Sequence, residues 1–355
     1  MKARCHCLVT AGLVPSMITL ASILAILSAL ILATKAPFGA AIAGFFDGAL
    51  GGHRLSYLMA TLSRATLIAG MALSVMLSLR AGLFNIGGEG QLVAGGISSA
   101  LVALAMPGPP LVVLTVSILA GMAAGAAWAL FAGVLHLHAG VPLLIGSLLM
   151  NFPVRFIASY LVGHPFRDVP SGMLQSPPVP AGTWLPYFPG LRLDIGILFI
   201  VAISVAAILY TSRTVHGYHA RLIGLAPSFA GAVGLPVGRL TLQTLAMSGA
   251  IAGFAGAIAV FGIHHRYVDG MLVQPLYAWT GLVAVLLVGM RPWLVPFSAF
   301  FFSALQTGAA GMERAAQVPQ DIGLVMQAVI ILFFAGGITA ALRSPQRTDK
   351  AGADA

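Results

Sequence analysis

Apolar runs long enough to cross a bilayer as helices, about 17 to 25 residues, recur along this chain between short polar or proline-rich segments. Ten stretches fit the pattern: 13–34, 58–79, 91–106, 110–135, 141–162, 195–211, 240–262, 277–290, 293–311 and 320–341. The eighth is short, and the third opens on glycine-rich backbone. The pattern predicts an all-α fold, a polytopic transmembrane helical bundle of about ten helices with one helix broken near residues 80–91. The membrane region then covers 13–341, between an N-terminal tail 1–12 and a C-terminal tail 342–355.

Polarity is concentrated at the expected break. The segment RAGLFNIGGEGQ places Arg80, Asn85, Glu89 and Gln91 between Leu67–Leu79 and Leu92–Met106, which carry no charge. A charged side chain at membrane depth costs a few kcal/mol on insertion scales. Gly82, Gly87, Gly88 and Gly90 hold a helix poorly, and non-helical backbone persists in a membrane only where protein buries it or water wets it. The segment is therefore expected to line a solute path. Asn85 and Gln91 together offer donors and acceptors suited to a neutral polar solute, and Phe84 offers a ring. Glu89 could meet a solute, carry a proton or pair with Arg80; the expected role is structural, accepting backbone N–H bonds. Asn151 and Arg155 lie one turn apart on the fifth span, with Pro153 expected to kink it. Arg155 must snorkel, pair or face the bundle. Phe84, Asn85, Glu89, Gln91, Asn151 and Arg155 are the candidate path residues.

Charge then orients the bundle. Segments 1–12, 212–239, residue 291 and 342–355 hold Lys2, Arg4, Arg213, Arg221, Arg239, Arg291, Arg343, Arg347 and Lys350 against Asp349 and Asp354. The alternate segments, 35–57, 163–194, 263–276 and 312–319, nearly balance their bases with Asp47, Asp168, Asp194, Asp269 and Glu313. The excess of Lys and Arg predicts that both termini and the 212–239 loop are cytoplasmic. The opposite loop, 163–194, contains Pro165, Pro170, Pro177, Pro178, Pro180, Pro186 and Pro189, which favour turns and extended chain over a folded domain. Trp184 and Tyr187 stand there as interfacial aromatics would.

Composition agrees: the 355 residues are 59% hydrophobic and 8% charged, with a mean hydropathy of +0.98. That excludes a water-soluble core, since soluble domains are about a quarter charged. The net charge of +9 fits inner loops lying on anionic lipid and not nucleic acid, because no soluble basic domain is present. Cys5, His6 and Cys7 lack the further ligands a metal site needs. The first apolar run exceeds a signal-peptide core of about 7 to 15 residues and is expected to be retained.

Two glycine series have packing spacing. Gly121 and Gly125 share a face of the fourth span, and Gly249, Gly253 and Gly256 nearly share one in the seventh, which lets helices approach closely. In the 212–239 loop, Pro227 suits the first turn of a short helix and Gly234 its end, with Phe229 and Val233 on one face. No nucleophile elbow or H-E-x-x-H pair occurs. Lys2, Lys35 and Lys350 are the only lysines and none follows glycine, so no Walker A loop is present.

From Arg64-Ala-Thr66 through GLFNIGGEGQ, and more loosely to about residue 340, the chain resembles the permease subunits of bacterial ABC importers for nucleosides and simple sugars. This branched-chain amino acid permease-like family includes, as the nearest likeness, the longer permease of nucleoside importers. The resemblance implies that the 212–239 loop forms a helix docking into an ATPase subunit, with Arg213, His216, Arg221, Gly224, Pro227, Phe229 and Val233 as coupling residues. Ala226 departs from the family, which has a side-chain cap there; losing a cap costs about 0.5 to 2 kcal/mol. It further implies that ATP and Mg are bound on the partner ATPase and no cofactor on this chain, a second related permease, an extracytoplasmic solute-binding protein and a bacterial inner-membrane location. Nucleosides lead as solute, ahead of simple sugars and riboflavin-like compounds. An ion-coupled secondary transporter is the alternative, opposed by the single broken segment and the scarcity of intramembrane acids.

Overall fold

The computed structural model describes residues 28–29, 35–52, 55–191 and 193–343, with side chains as far as residue 332. The N-terminal tail with Cys5, His6 and Cys7, nearly all of the expected first span, and the C-terminal tail beyond residue 343 lie outside the described residues. Among the described residues the helices are α1 (Phe38–Leu50), α2 (Leu55–Arg80), α3 (Gly88–Ala105), α4 (Pro110–Ala139), α5 (Leu143–Leu149), α6 (Asn151–Gly163), α7 (Gly196–Arg213), α8 (Val215–Leu225), α9 (Pro227–Ala232), α10 (Val237–Ile258), α11 (Tyr277–Leu287), α12 (Val295–Ala316) and α13 (Ile322–Arg343). The fold is all-α, and the described residues contain no strand beyond the isolated bridges Gln175–Val268 and Tyr187–Asp194.

Among the described residues, six helical stretches are long and apolar enough to cross a membrane: Leu55–Arg80, Pro110–Ala139, Leu143–Gly163, Gly196–Arg213, Val237–His264 and Pro292–Ala316. Tyr277–Leu287 is apolar but short, as its sequence suggests. The expected outer loop 35–57 differs from the reading above, because it contains α1. Thirteen residues are too few to register as a span, yet they are apolar, and Gly44 and Gly48 let them seat on Gly311 and Thr307 backbone.

The described chain forms two compact units, one of residues up to 57 together with those from 305 onward, the other of residues 58–304. In the first, α1 packs on the C-terminal part of α12, and Arg314 lies 4.6 Å from the centre of the Tyr57 ring. In the second, α2 is buried on all sides from Ala65 to Leu79, as a helix apolar around its whole circumference must be. The peripheral helices bury one stripe only. On α4 this is Val113, Ser117, Gly121, Gly125, Ala129 and Ala132, and on α7 Gly196, Ile200, Ser204 and Ala207; their remaining faces are apolar and exposed, as a lipid-facing surface requires.

The packing centre of this unit is α3 against α4 and α10. A Cβ at Gly95 or Gly121 would strike the other helices' backbone, as would one at Gly125, Gly249, Gly253 or Gly256. Only glycine allows these three axes so near one another.

On the side predicted to be extracytoplasmic, 163–194 is tied down by backbone bonds. Ser176 N–H donates to Tyr267 O (2.8 Å), Val179 N–H to His265 O (2.9 Å) and Leu185 N–H to Phe261 O (3.0 Å). The end of α10 widens into a π-helical turn, Ala259–His264, and reverses at His265 with φ 55°. Trp184 stacks on the His265 ring at 4.0 Å, and Tyr187 Oη is 3.0 Å from its Nε2. These aromatics clasp the loop to the end of α10.

Asp194 is buried at the start of α7. Its carboxylate accepts from Gly196 N–H at 2.9 Å and Ser63 Oγ–H at 3.3 Å. Burial nonetheless holds its proton affinity above the ordinary carboxylate value, the hydrogen bonds opposing only in part. A folded pKa above the unfolded one means that stability falls as pH rises between the two. Asp194→Asn is therefore expected to keep the cap and flatten that pH dependence in thermal unfolding of the detergent-solubilised protein. Asp194→Ala, which leaves Gly196 N–H without its acceptor, is expected to lose about 1–3 kcal/mol.

Candidate functional site

Helix α2 ends at Arg80, and residues 81–87 leave helical geometry before α3 begins. Gly88 and Gly90, expected to loosen the chain, sit inside α3; the break is confined to the residues before them. Gly82 turns the chain with φ +72°, a conformation natural to glycine. The amides beyond it lack helical partners, and side chains supply them. Asn85 Oδ1 accepts from Gly87 N–H (3.0 Å), Ser147 Oγ from Ile86 N–H (3.1 Å) and Asn151 Oδ1 from Gly90 N–H (2.8 Å). Asn151 Nδ2 donates in turn to Ile86 O at 3.2 Å.

Asn151 is held at the joint between α5 and α6. Pro153 removes one helical donor and crowds the carbonyl four residues earlier, which is Leu149, where α5 ends. The bend thus falls at Met150, ahead of the proline, and Met150 O accepts from Trp128 Nε1 at 3.0 Å.

The network continues inward. Gln91 Nε2 donates to Asn85 Oδ1 (3.2 Å), Asn85 Nδ2 to Ser248 Oγ (3.5 Å), and Ser74 Oγ to Ser248 O (2.7 Å). Ser74 and Ser248 hydroxyls lie 3.1 Å apart, so the Ser248 proton points at Ser74 and its oxygen receives Asn85. Asn85 thereby spends most of its polar capacity on the chain itself, whereas Gln91 makes one such bond and its Oε1 is a buried acceptor without a partner. Beside Asn85 lies a cavity of about 10 Å³ lined by Val75, Ile86, Gly88, Ala278 and Trp279, close to the space of a single water.

Glu89 differs from both structural roles considered for it above. It accepts no backbone N–H and stands apart from Arg80. Its Oε1 pairs with Arg155 Nη1 at 3.4 Å, the carboxylate side chain 8% exposed and the guanidinium side chain 43%. A carboxylate this buried needs its cation, because an isolated charge there is costly. The open side of Arg155 faces a cleft of about 340 Å³ with Phe152, Phe156, Ser159, Tyr267, Asp269 and Gln274. Burial first, and Asp269 beside it, push the Tyr267 phenol far above its usual range, so it remains a neutral hydroxyl. Phe84 is exposed, away from the network. The sequence reading missed Ser147, Tyr267, Asp269 and Gln274. Their only sequence signal was polarity at the edges of apolar runs.

The 212–239 loop folds as two short helices, not one. Thr214 caps α8, its Oγ1 accepting from Gly217 N–H at 3.1 Å, while Ala226 gives α9 no side-chain cap. Pro227 opens α9 and Gly234 follows it with φ 83°. Ile223, Ala230 and Leu240 form the loop's own small core. Phe229 and Val233 are exposed, as are Arg213, His216 and Arg221. Gly224 lies against the break: a Cβ on it would strike Arg80 O and the Ala81–Gly82 backbone, and one on Gly82 would strike Gly224.

Residues 57–335 match the family model described as the permease component of branched-chain amino acid transport systems. The chain is 30% identical over 275 residues to the nucleoside ABC transporter permease protein NupB of Lactococcus lactis, covering 74% of this chain and 75% of that one. It is 30% identical over 289 residues to the glucose ABC transporter permease protein TsgB13 of Haloferax volcanii (78% and 75%), and 28% over 290 residues to the guanosine ABC transporter permease protein NupP of Bacillus subtilis (79% and 81%). The chain belongs to this family of ABC transporter permeases and is a multi-pass membrane protein.

Asn151→Ala removes the partners of both Gly90 N–H and Ile86 O. It is expected to destabilise the protein by about 1–3 kcal/mol for each group stranded, read as a lowered unfolding midpoint in detergent. Asn85→Ala should fall in the same direction.

Proposed function

We propose that this chain is the permease subunit of an ATP-driven importer in a bacterial inner membrane, with both described loop ends 212–239 and 288–292 on the cytoplasmic side. A solute-binding protein delivers cargo from outside, a second, related permease completes the path, and a separate ATPase binds ATP and Mg and supplies the work. The observation that supports this reading most is the seat of Gly224 on the Arg80–Gly82 backbone. Exposed Phe229 and Val233 on and just after α9 suit a docking face for the ATPase. Movement of the helices there reaches the break without an intervening side chain, so one element is biased from two sites.

The solute is a neutral, hydroxylated compound carrying a ring, with nucleosides first and simple sugars and riboflavin-like compounds after them. The relatives' named solutes support that order. So does the cleft bearing Arg155, where aromatic rings and a few donors and acceptors converge, the usual form of such sites. The buried Asn85–Gln91–Asn151 network serves as the hinge that opens and closes the path, and the Glu89–Arg155 pair links that hinge to the cleft.

Two measurements test this. Gly224→Val, made in the reconstituted complex, is expected to cut solute uptake at least tenfold while ATP hydrolysis continues. Uptake by this chain alone, driven by an ion gradient in liposomes, would overturn the importer reading. Binding of a nucleoside and sugar panel to the partner receptor tests the solute order, and Phe156→Ala is expected to lower uptake severalfold if the cleft meets the cargo.

A further inference from the structure

At the end of the bundle marked by α8, a groove of about 880 Å³ runs between the last turn of α2, the α7–α8 corner and the turn into α12. Its basic lining is Arg80, Arg221 and Arg291, and no carboxylate lines it. Ion pairs among the described residues join Arg155 to Glu89 and Arg266 to Asp168; none engages these three arginines. Arg80 and Arg221 stand close enough for their charges to act on one another. Like charges held together unneutralised call for an anion.

The rest of the lining says which anion. Leu79 and Ile208 belong to the last turns of membrane helices, and Met290 and Trp293 sit on the turn between α11 and α12. Trp293 is largely exposed, as an interfacial aromatic is. Thr211, Ser212 and Thr214 add hydroxyls to the rim. A free phosphate or nucleotide would leave the apolar wall unused. An acidic face of the ATPase would be met first by α9, none of whose residues lines the groove.

We propose that this groove binds the headgroup of an anionic phospholipid of the inner leaflet, phosphodiester against Arg80, Arg221 and Arg291 and acyl chains along Leu79, Ile208 and Met290. Basic pockets between membrane helices on the cytoplasmic side have this chemistry. The inference rests on the inside placement of the 212–239 loop. It gives the lipid a mechanical position, because two of its arginines lie on the elements that meet at Gly224. A bound headgroup ties α8 to α2 and α12.

The test uses the whole transporter complex, delipidated in detergent and then offered phosphatidylglycerol or phosphatidylcholine, with bound lipid counted by native mass spectrometry. Preferential, salt-sensitive retention of phosphatidylglycerol is expected. Arg80→Gln and Arg291→Gln should each weaken retention about fivefold, while Arg291→Lys should largely restore it. Equal retention of the two lipids, or retention unchanged in both Gln variants, would overturn the proposal. So would loss of ATPase co-purification in the Gln variants with lipid retention intact, which would assign the groove to the ATPase. Inorganic phosphate competing as well as phosphatidylglycerol would overturn it in favour of a soluble anion. If the loop lies outside, protease or label access to α8 from the external face shows it independently of lipid binding.

Discussion

Backbone N–H and C=O groups that leave a helix inside a membrane must find partners in the protein, because hydrocarbon offers none. Residues 81–87 leave the helix, and everything near them is arranged to meet that demand. Asn85 serves Gly87, Ser147 serves Ile86, and Asn151 serves both Gly90 and Ile86. The bend at Met150 brings Ser147 and Asn151 to the break from either side of one joint. A break in one span is thus stabilised by a bend in another, and neither is intelligible alone.

Glycine seams make this proximity possible. The α3, α4 and α10 axes approach until backbones touch at Gly95, Gly121, Gly125, Gly249 and Gly253. Such contact favours dispersion and dipole interactions over hydrophobic burial, which has little leverage between helices already in lipid. The same device recurs at Gly82 and Gly224, where the contact joins the 212–239 loop to the end of α2. A closely packed triple of helices thus stands beside a break pinned by side chains.

Charge is distributed in two contrasting ways. Inside the bundle, Glu89 and Arg155 neutralise each other where one charge alone would be prohibitive. At the rim of the 212–239 loop, Arg80, Arg221 and Arg291 gather with no acid in the groove. The first arrangement suits a fixed internal joint. The second suits an external anion.

Much of this was legible from residue order. Long apolar runs specified helices because a bilayer admits only helices and closed barrels, and unbroken apolar runs of this length suit the helix. The Pro227 to Gly234 spacing anticipated α9. The polar cluster at 80–91 marked the break, and glycine spacing marked Gly121, Gly125, Gly249, Gly253 and Gly256 as packing positions. Helix α1 was hidden because thirteen apolar residues read as loop beside true spans, and α8 because its start depends on the Thr214 cap. What only the tertiary structure decided is partnership. Glu89 was free, on sequence grounds, to choose Arg80 or a backbone amide, yet it meets Arg155, sixty-six positions away. Asn85 and Asn151 could have faced solute, yet they hold backbone. Periodicity and hydropathy are local properties of a chain in its solvent, whereas a hydrogen bond's partner is set by how distant helices pack.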